Sequence, residues 1–248
     1  TLAISSAASD VYKRQIHAKL QNAFDRKYKY PNIDETYKLR GEIMSNHRAV
    51  DLFSEWAEKG RDVGMEKGHS KSVKKMISLA KDRISGHFSA IDVGCGNGWA
   101  VRELQSVSGC LSASGVDGSD TMISKAKLIH PQGDYFHGML PKWIPEKPVD
   151  LVMSMEFMYY LKNPLDFLSS IHDAWLKKGG WLVFGVDHYR ENPPSLGWPD
   201  SLKLELATLS ESQWESGMVR AGFVEVQTLR FGKEDDWEGT LVVLGKKR

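Results

Sequence analysis

Apolar and polar positions along this chain change rhythm near residue 85. Before that point the spacing is helical: Leu39, Ile43, Val50, Phe53 and Trp56 recur at helical intervals, broken around Gly60 and Gly64. Val73, Met76, Ile77 and Ala80 mark one face of a further helix that starts near Ser70. Beyond residue 85, short apolar runs alternate with helical stretches. Residues 88–93, 112–117, 134–137, 149–155 and 181–186 read as strands, and 97–107, 119–129 and 164–177 as helices between them. Strands alternating with helices predict a doubly wound, parallel α/β sheet. The C-terminal part differs. A helix over 210–220 is followed by strands over 223–229 and 239–244, joined by an acidic loop too short for a helix. Those two strands should be antiparallel neighbours. The expected fold class is α/β: a doubly wound seven-stranded sheet, mostly parallel with a C-terminal antiparallel strand, preceded by N-terminal helices.

Composition narrows the function. With 41% hydrophobic and 26% charged residues the chain is an ordinary globular protein, and 248 residues allow one large domain or one with an appendage. A net charge of +1 supplies no global field to attract nucleic acid. Cys95 and Cys110 can build neither a disulfide framework nor a zinc site, and are too few for a three-cysteine iron–sulfur cluster. No apolar run approaches the roughly 20 residues of a membrane span, so a cytoplasmic location is expected. Residues 5–15 resemble a translated sequencing adapter, and 1–15 are expected to be a non-native leader. The expected division is then a helical cap over 16–67 and a cofactor-binding domain over 68–248.

The chemistry concentrates in Ile91-Asp92-Val93-Gly94-Cys95-Gly96-Asn97-Gly98. An apolar strand runs into three glycines spaced two apart, so a ligand can approach bare backbone. Asp92 at the rim would repel the pyrophosphate of a dinucleotide. It would attract the α-ammonium of S-adenosylmethionine (SAM), which also carries a sulfonium. With this loop, Val116-Asp117-Gly118-Ser119, Val149-Asp150-Leu151-Val152-Met153-Ser154 and Lys178-Gly179-Gly180-Trp181-Leu182, the chain over roughly residues 68–246 resembles the class I SAM-dependent methyltransferases.

The resemblance implies that Asp92, Gly94, Cys95, Gly96, Asn97 and Gly98 hold the methionine end of SAM, and that Asp117, beside Gly118, accepts the ribose hydroxyls. Where relatives often carry Gly-Asp after the third strand, this chain has Gly138-Met139, which implies that adenine is held by packing. Met155 closes the fourth strand at the same site.

Three segments are candidates for the acceptor side. After the fourth strand, Tyr159 and Tyr160 could wall the pocket or offer a phenol. After the fifth, His188 could act as a base near neutral pH, with Tyr189, Glu191 and Trp198 in the same polar, aromatic loop. Before the core, Arg61, Glu66 and His69 could sit on a lid that glycines 60, 64 and 68 allow to bend. No metal site is expected.

These features predict methyl transfer to an O, N or C nucleophile of a small molecule. The alternatives are an RNA or protein methyltransferase, an NAD-dependent oxidoreductase, and a non-catalytic SAM-binding subunit. The oxidoreductase would want Gly-x-Gly-x-x-Gly, and this loop is Gly-x-Gly-x-Gly.

Overall fold

The computed structural model describes residues 44–248, with side chains from residue 49 onward; the leader over 1–15 and the positions Leu39 and Ile43 lie outside the described residues. Helices α1 (Met44–Glu58) and α2 (Asp62–Lys81) precede an alternating unit: β1 (Phe88–Val93), α3 (Trp99–Gln105), β2 (Cys110–Asp117), α4 (Asp120–Ile129), β3 (Asp134–His137), β4 (Val149–Met155), α5 (Pro164–Ser170) and β5 (Leu176–Val186). Helices α6 (Trp198–Leu202) and α7 (Glu211–Arg220) and strands β6 (Phe223–Phe231) and β7 (Thr240–Lys247) complete it.

The strands form one seven-stranded sheet in the order β3-β2-β1-β4-β5-β7-β6. β1 pairs in parallel with β2 and β4, β2 with β3, and β4 with β5, while β7 is antiparallel to both β5 and β6. The expected mostly parallel sheet with a reversed C-terminal strand is therefore the observed one. Successive strand residues point to opposite faces, and the core divides accordingly. Ile91, Val93, Val152, Leu182 and Phe184 pack on one face with Phe167, Trp214 and Met218, from the α5 and α7 side. Ala90, Leu151, Met153 and Val183 pack on the other with Met76, Leu104 and Ile123, from α2, α3 and α4. Both faces are covered, which suits strands that read as unbroken apolar runs.

Local chemistry fixes the helix ends that matter for the site. Ser119 caps α4 by accepting from the Met122 amide at 3.2 Å. Ser210 and Gln213 form a capping box on α7.

Three details differ from the periodicity. Helix α2 runs unbroken through Gly64 and Gly68, so the division at 67/68 falls inside it. Its buried face of Val73, Met76, Ile77 and Ala80 holds it as one piece. The segment after α5 winds into a π-turn over Ile171–Trp175 around the buried Trp175, and β5 then begins at Leu176. β6 and β7 also extend beyond their read lengths. Among the described residues, no helix is long and apolar enough to cross a membrane.

Candidate active site

Parallel pairing brings the carboxyl ends of β2, β1, β4 and β5 to one edge of the sheet. The chain order reverses between β1 and β4, and open α/β sheets bind ligands in the crevice at such a switch point. A cleft lies there, with about 1010 Å³ of space counting its solvent-open mouth. Its floor is the β1 loop. Gly94, Gly96 and Gly98 all take positive φ (76°, 52° and 76°). At Gly94 a Cβ would stand 2.6 Å from the Phe157 side chain, so only glycine fits. The Gly96 amide donates to Asp117 Oδ2 at 2.9 Å, and the Ser119 amide donates to its Oδ1 at 2.8 Å. Asp117 is thus held at the end of β2, half-buried at the cleft floor.

Asp92 is the anomaly of this floor. It is 3% exposed, and no described residue donates a hydrogen bond to its carboxylate. Burial, with the nearby Asp117 charge, lifts its carboxyl to about 7. A buried, unpaired carboxylate is costly, and its placement in a cleft marks a site for a cationic group. Burial also raises Asp117, and it pushes the Cys95 thiol well above its ordinary value, followed by the charges of Asp117 and Asp92. Cys95 is therefore a packed thiol rather than a nucleophile.

The roof is helical. Asp62, Met65 and His69, on one face of α2, line the cleft with Val50 and Phe53 of α1. A polar clamp ties roof to floor. Buried Asp62 accepts from Asn97 Nδ2 at 2.8 Å and from Lys125 Nζ at 2.6 Å. Ser54 and Ser119 share a hydrogen bond of 2.7 Å between α1 and the α4 cap. Phe53 meets Tyr160 edge-to-face at 5.1 Å, closing the far side.

At the β4–β5 end three titratable groups converge. The ligand atoms of His69, Glu156 and Asp187 lie within 4.8 Å of one another. His69 Nε2 stands 3.4 Å from Asp187 Oδ2, and its Nδ1 donates to the Met65 carbonyl at 2.8 Å. Glu156 accepts from the Tyr159 hydroxyl at 2.7 Å and from the Asp187 amide. Glu156 holds a left-handed φ of 56°, and Asp187 Oδ1 is buried with no hydrogen-bond partner among the described residues. Non-glycine residues in that region carry strain of order 1–3 kcal/mol, which clusters at functional sites. Burial, then the Asp187 charge, raises Glu156 to about 8. Desolvation pulls His69 down, but the hydrogen bond and charge of Asp187, with Glu156 behind them, lift it to about 9.

Of the residues singled out in the sequence, Asp92, Gly94, Cys95, Gly96, Asn97, Asp117, Gly118, Met139, Met155, Tyr160 and His69 line this cleft. Gly98 lies one step behind, as the left-handed cap of α3. Gly138 packs under Trp143. Tyr159 is buried behind the wall with its hydroxyl on Glu156. His188 is also away from the cleft lining and fully buried. Its Nδ1 faces the Ser195 carbonyl at 3.0 Å, its Nε2 faces the Thr208 hydroxyl at 2.8 Å, and burial lowers its pKa. Tyr189 is buried with its hydroxyl on the Gly239 carbonyl, Glu191 accepts from the Glu211 amide, and Trp198 stacks on His188. Arg61 is exposed at the start of α2, and Glu66 is half-buried outside the lining. Glu156, Phe157, Met65 and Asp187 stand in the three candidate acceptor segments, where their neighbours and not they were singled out. Glu156 and Asp187 are each the first residue past a buried parallel strand, which is the signal that could have found them.

A signature described as a methyltransferase domain matches residues 42–228. That span is most of the chain. The chain belongs to the class I SAM-dependent methyltransferases. The trans-aconitate 2-methyltransferase of Rhizobium rhizogenes is 30% identical over 131 residues, 53% of this chain and 48% of that protein. The tRNA U34 carboxymethyltransferase of Pseudoalteromonas translucida is 33% identical over 100 residues, 38% of this chain and 30% of its own. The chain thus spans about half or less of these relatives. Among solved structures, the Haloferax volcanii complex of the Trm112 activator with a methyltransferase aligns at 27% identity and TM-score 0.67, over 79% of this chain and 97% of the matched one. The N-methyltransferase NodS of Bradyrhizobium japonicum, bound to S-adenosylhomocysteine, shares the fold at 16% identity and TM-score 0.57, over 72% and 86%.

The donor of this methyltransferase family is SAM, and the cleft fits it on its own evidence. A buried carboxylate without a donor suits an ammonium, and a glycine-walled floor suits close backbone contact.

Proposed function

We propose that this chain transfers a methyl group from SAM to an uncharged or cationic small-molecule acceptor held at the His69–Glu156–Asp187 end of the cleft. The observation that carries this reading is the charge of the lining. Asp62, Asp92, Asp117 and Glu156 line the cleft, and among the described residues no lysine or arginine does. Among these residues an anionic acceptor would find no cationic side chain there except His69, which Asp187 already engages at 3.4 Å. The roof supports a small acceptor, since Phe53 and Tyr160 narrow the space beside the cluster.

SAM, when bound, supplies an electrophilic methyl on its sulfonium. The protein's own work is then binding, positioning and proton handling. Asp92, Asp117 and the Gly94–Gly96 backbone hold the donor. Val50, Phe53, Met65 and Phe157 exclude water. Glu156, raised to about 8, takes a proton from an acceptor O–H or N–H only in its ionised form, whose share grows as pH rises toward 8. Tyr160, whose pKa burial raises, stays protonated and offers a hydroxyl for orientation.

A second reading, an acceptor carried on RNA or protein, draws support from the tRNA-modifying relative and from the aligned methyltransferase solved with the Trm112 activator. Incubating the protein with SAM tritiated on the methyl, against separated small-molecule, RNA and protein pools, tests the two. Label is expected in basic or neutral small molecules. Label confined to RNA or protein would replace the first reading with the second.

A further inference from the structure

The cluster at the β4–β5 end carries more than proton chemistry. We propose that His69, Glu156 and Asp187 bind one divalent first-row transition ion, in the Mn²⁺ to Zn²⁺ range. The geometry approaches that of a ligand set, with one separation already at coordination distance. All three ligand atoms lie within 4.8 Å of one another, and the His69 Nε2 to Asp187 Oδ2 separation is 3.4 Å. Two ligands at about 2.1 Å from one tetrahedral ion stand about 3.4 Å apart. One imidazole nitrogen and two carboxylates form the mixed N/O set that such ions accept.

The surroundings support each ligand. His69 Nδ1 is fixed on the Met65 carbonyl, which points Nε2 at the carboxylates. Tyr159 and the Asp187 amide hold the two Glu156 oxygens. Metal-binding histidines and carboxylates are oriented by outer partners of this kind. An independent observation points to a missing partner: Asp187 is 6% exposed, and its Oδ1 is buried with no hydrogen bond from the described residues. Glu156 is also kept in a left-handed backbone conformation that a glutamate otherwise avoids.

The placement gives the ion a use. His69 and Glu156 both line the cleft, with Asp187 on the far side of them. Three protein ligands leave at least one coordination position free, and such a position takes an oxygen or nitrogen lone pair and lowers the pKa of the group it binds. A divalent ion would balance the two carboxylates, take over from Glu156 the activation of the acceptor, and narrow that acceptor to an uncharged hydroxyl or amine. This use rests on the methyl-transfer reading; the binding site itself does not.

The test uses the full chain, stripped with chelator and with no SAM present. Zn²⁺, Mn²⁺ and Co²⁺ are titrated by calorimetry and thermal melting, with Mg²⁺ as comparison, and the Co²⁺ visible spectrum reports ligand geometry. The expected result is one ion per chain, a raised Tm, and binding at least about tenfold weaker in Glu156→Gln and in Asp187→Asn. Tyr159→Phe removes only an outer contact, and should weaken binding about 10- to 100-fold if the first two variants fail to fold. Absence of one-to-one binding to the unaltered chain, or binding unchanged in the variants that fold, overturns the site. S-adenosylhomocysteine binding, measured separately on the metal-free chain, is expected to survive, so loss of the metal site leaves the methyl-transfer reading standing.

Discussion

Replacing Asp92 by asparagine should stabilise the ligand-free protein and weaken its hold on SAM, with a gain that grows as pH rises. The Asp92 carboxyl titrates at about 7 in the fold, against 3.8 for a free side chain. That difference makes the ionised form roughly 4 kcal/mol less favourable in the fold than in the unfolded chain. Between the two values the folded chain keeps a proton that the unfolded chain has released. The folded chain thus binds more protons, and stability falls as pH rises through this window before levelling above about 7. Asparagine does not titrate. The advantage of Asp92→Asn over the natural residue should therefore widen by roughly 2–3 kcal/mol between pH 5 and pH 8. At this chain length each kcal/mol moves Tm by about 2–4 °C. Urea unfolding of both proteins at pH 5, 6.5 and 8, without SAM, reads the effect. Loss of the charge facing the donor's ammonium should weaken SAM at least about tenfold. A gap that stays constant from pH 5 to pH 8, or a variant less stable at pH 8, would show that Asp92 is not held as an uncompensated carboxylate.

Three further outcomes follow from the cleft. Asp117→Ala removes the carboxylate held by the Gly96 and Ser119 amides, and calorimetry should find SAM bound at least about tenfold more weakly. Gly94→Ala combines a φ of 76° with a Cβ 2.6 Å from Phe157; chemical denaturation should report a loss of about 2–3 kcal/mol, and an unchanged midpoint would contradict the packing described. Lys125→Met leaves buried Asp62 with Asn97 alone; stability should drop by about 2–4 kcal/mol, and Lys125→Arg should recover part of it.

Much of this molecule was legible as sequence because its signals are local. Each buried strand is a short apolar run between glycines and helical stretches, so the sheet and its reversed final strand followed from the pattern. The glycine-rich half of the cleft was legible for the same reason: Asp92 to Gly98 is one contiguous turn, and Asp117 ends the next strand. The other half depends on contacts across long separations. His69 meets Glu156 and Asp187 only because α2 crosses the ends of β4 and β5. Glycines 64 and 68 suggested a bend, but the helix continues unbroken through them, with Met76 and Val73 packed on the sheet. His188 read as a tunable base in a polar loop. Its partners, the Ser195 carbonyl and the Thr208 hydroxyl, come from other turns of that region and fold it inward. Tyr159 drew attention as an aromatic after β4, whereas the residue that the strand end aims into the cleft is Glu156.

The central claim is that the cleft above β1 and β2 is a SAM site built around two carboxylates. Calorimetric titration of the protein with S-adenosylhomocysteine and, separately, with NAD tests it most directly. The account predicts one saturable site for S-adenosylhomocysteine, lost in Asp117→Ala, and no heat from NAD. Saturable NAD binding with no response to S-adenosylhomocysteine would contradict it.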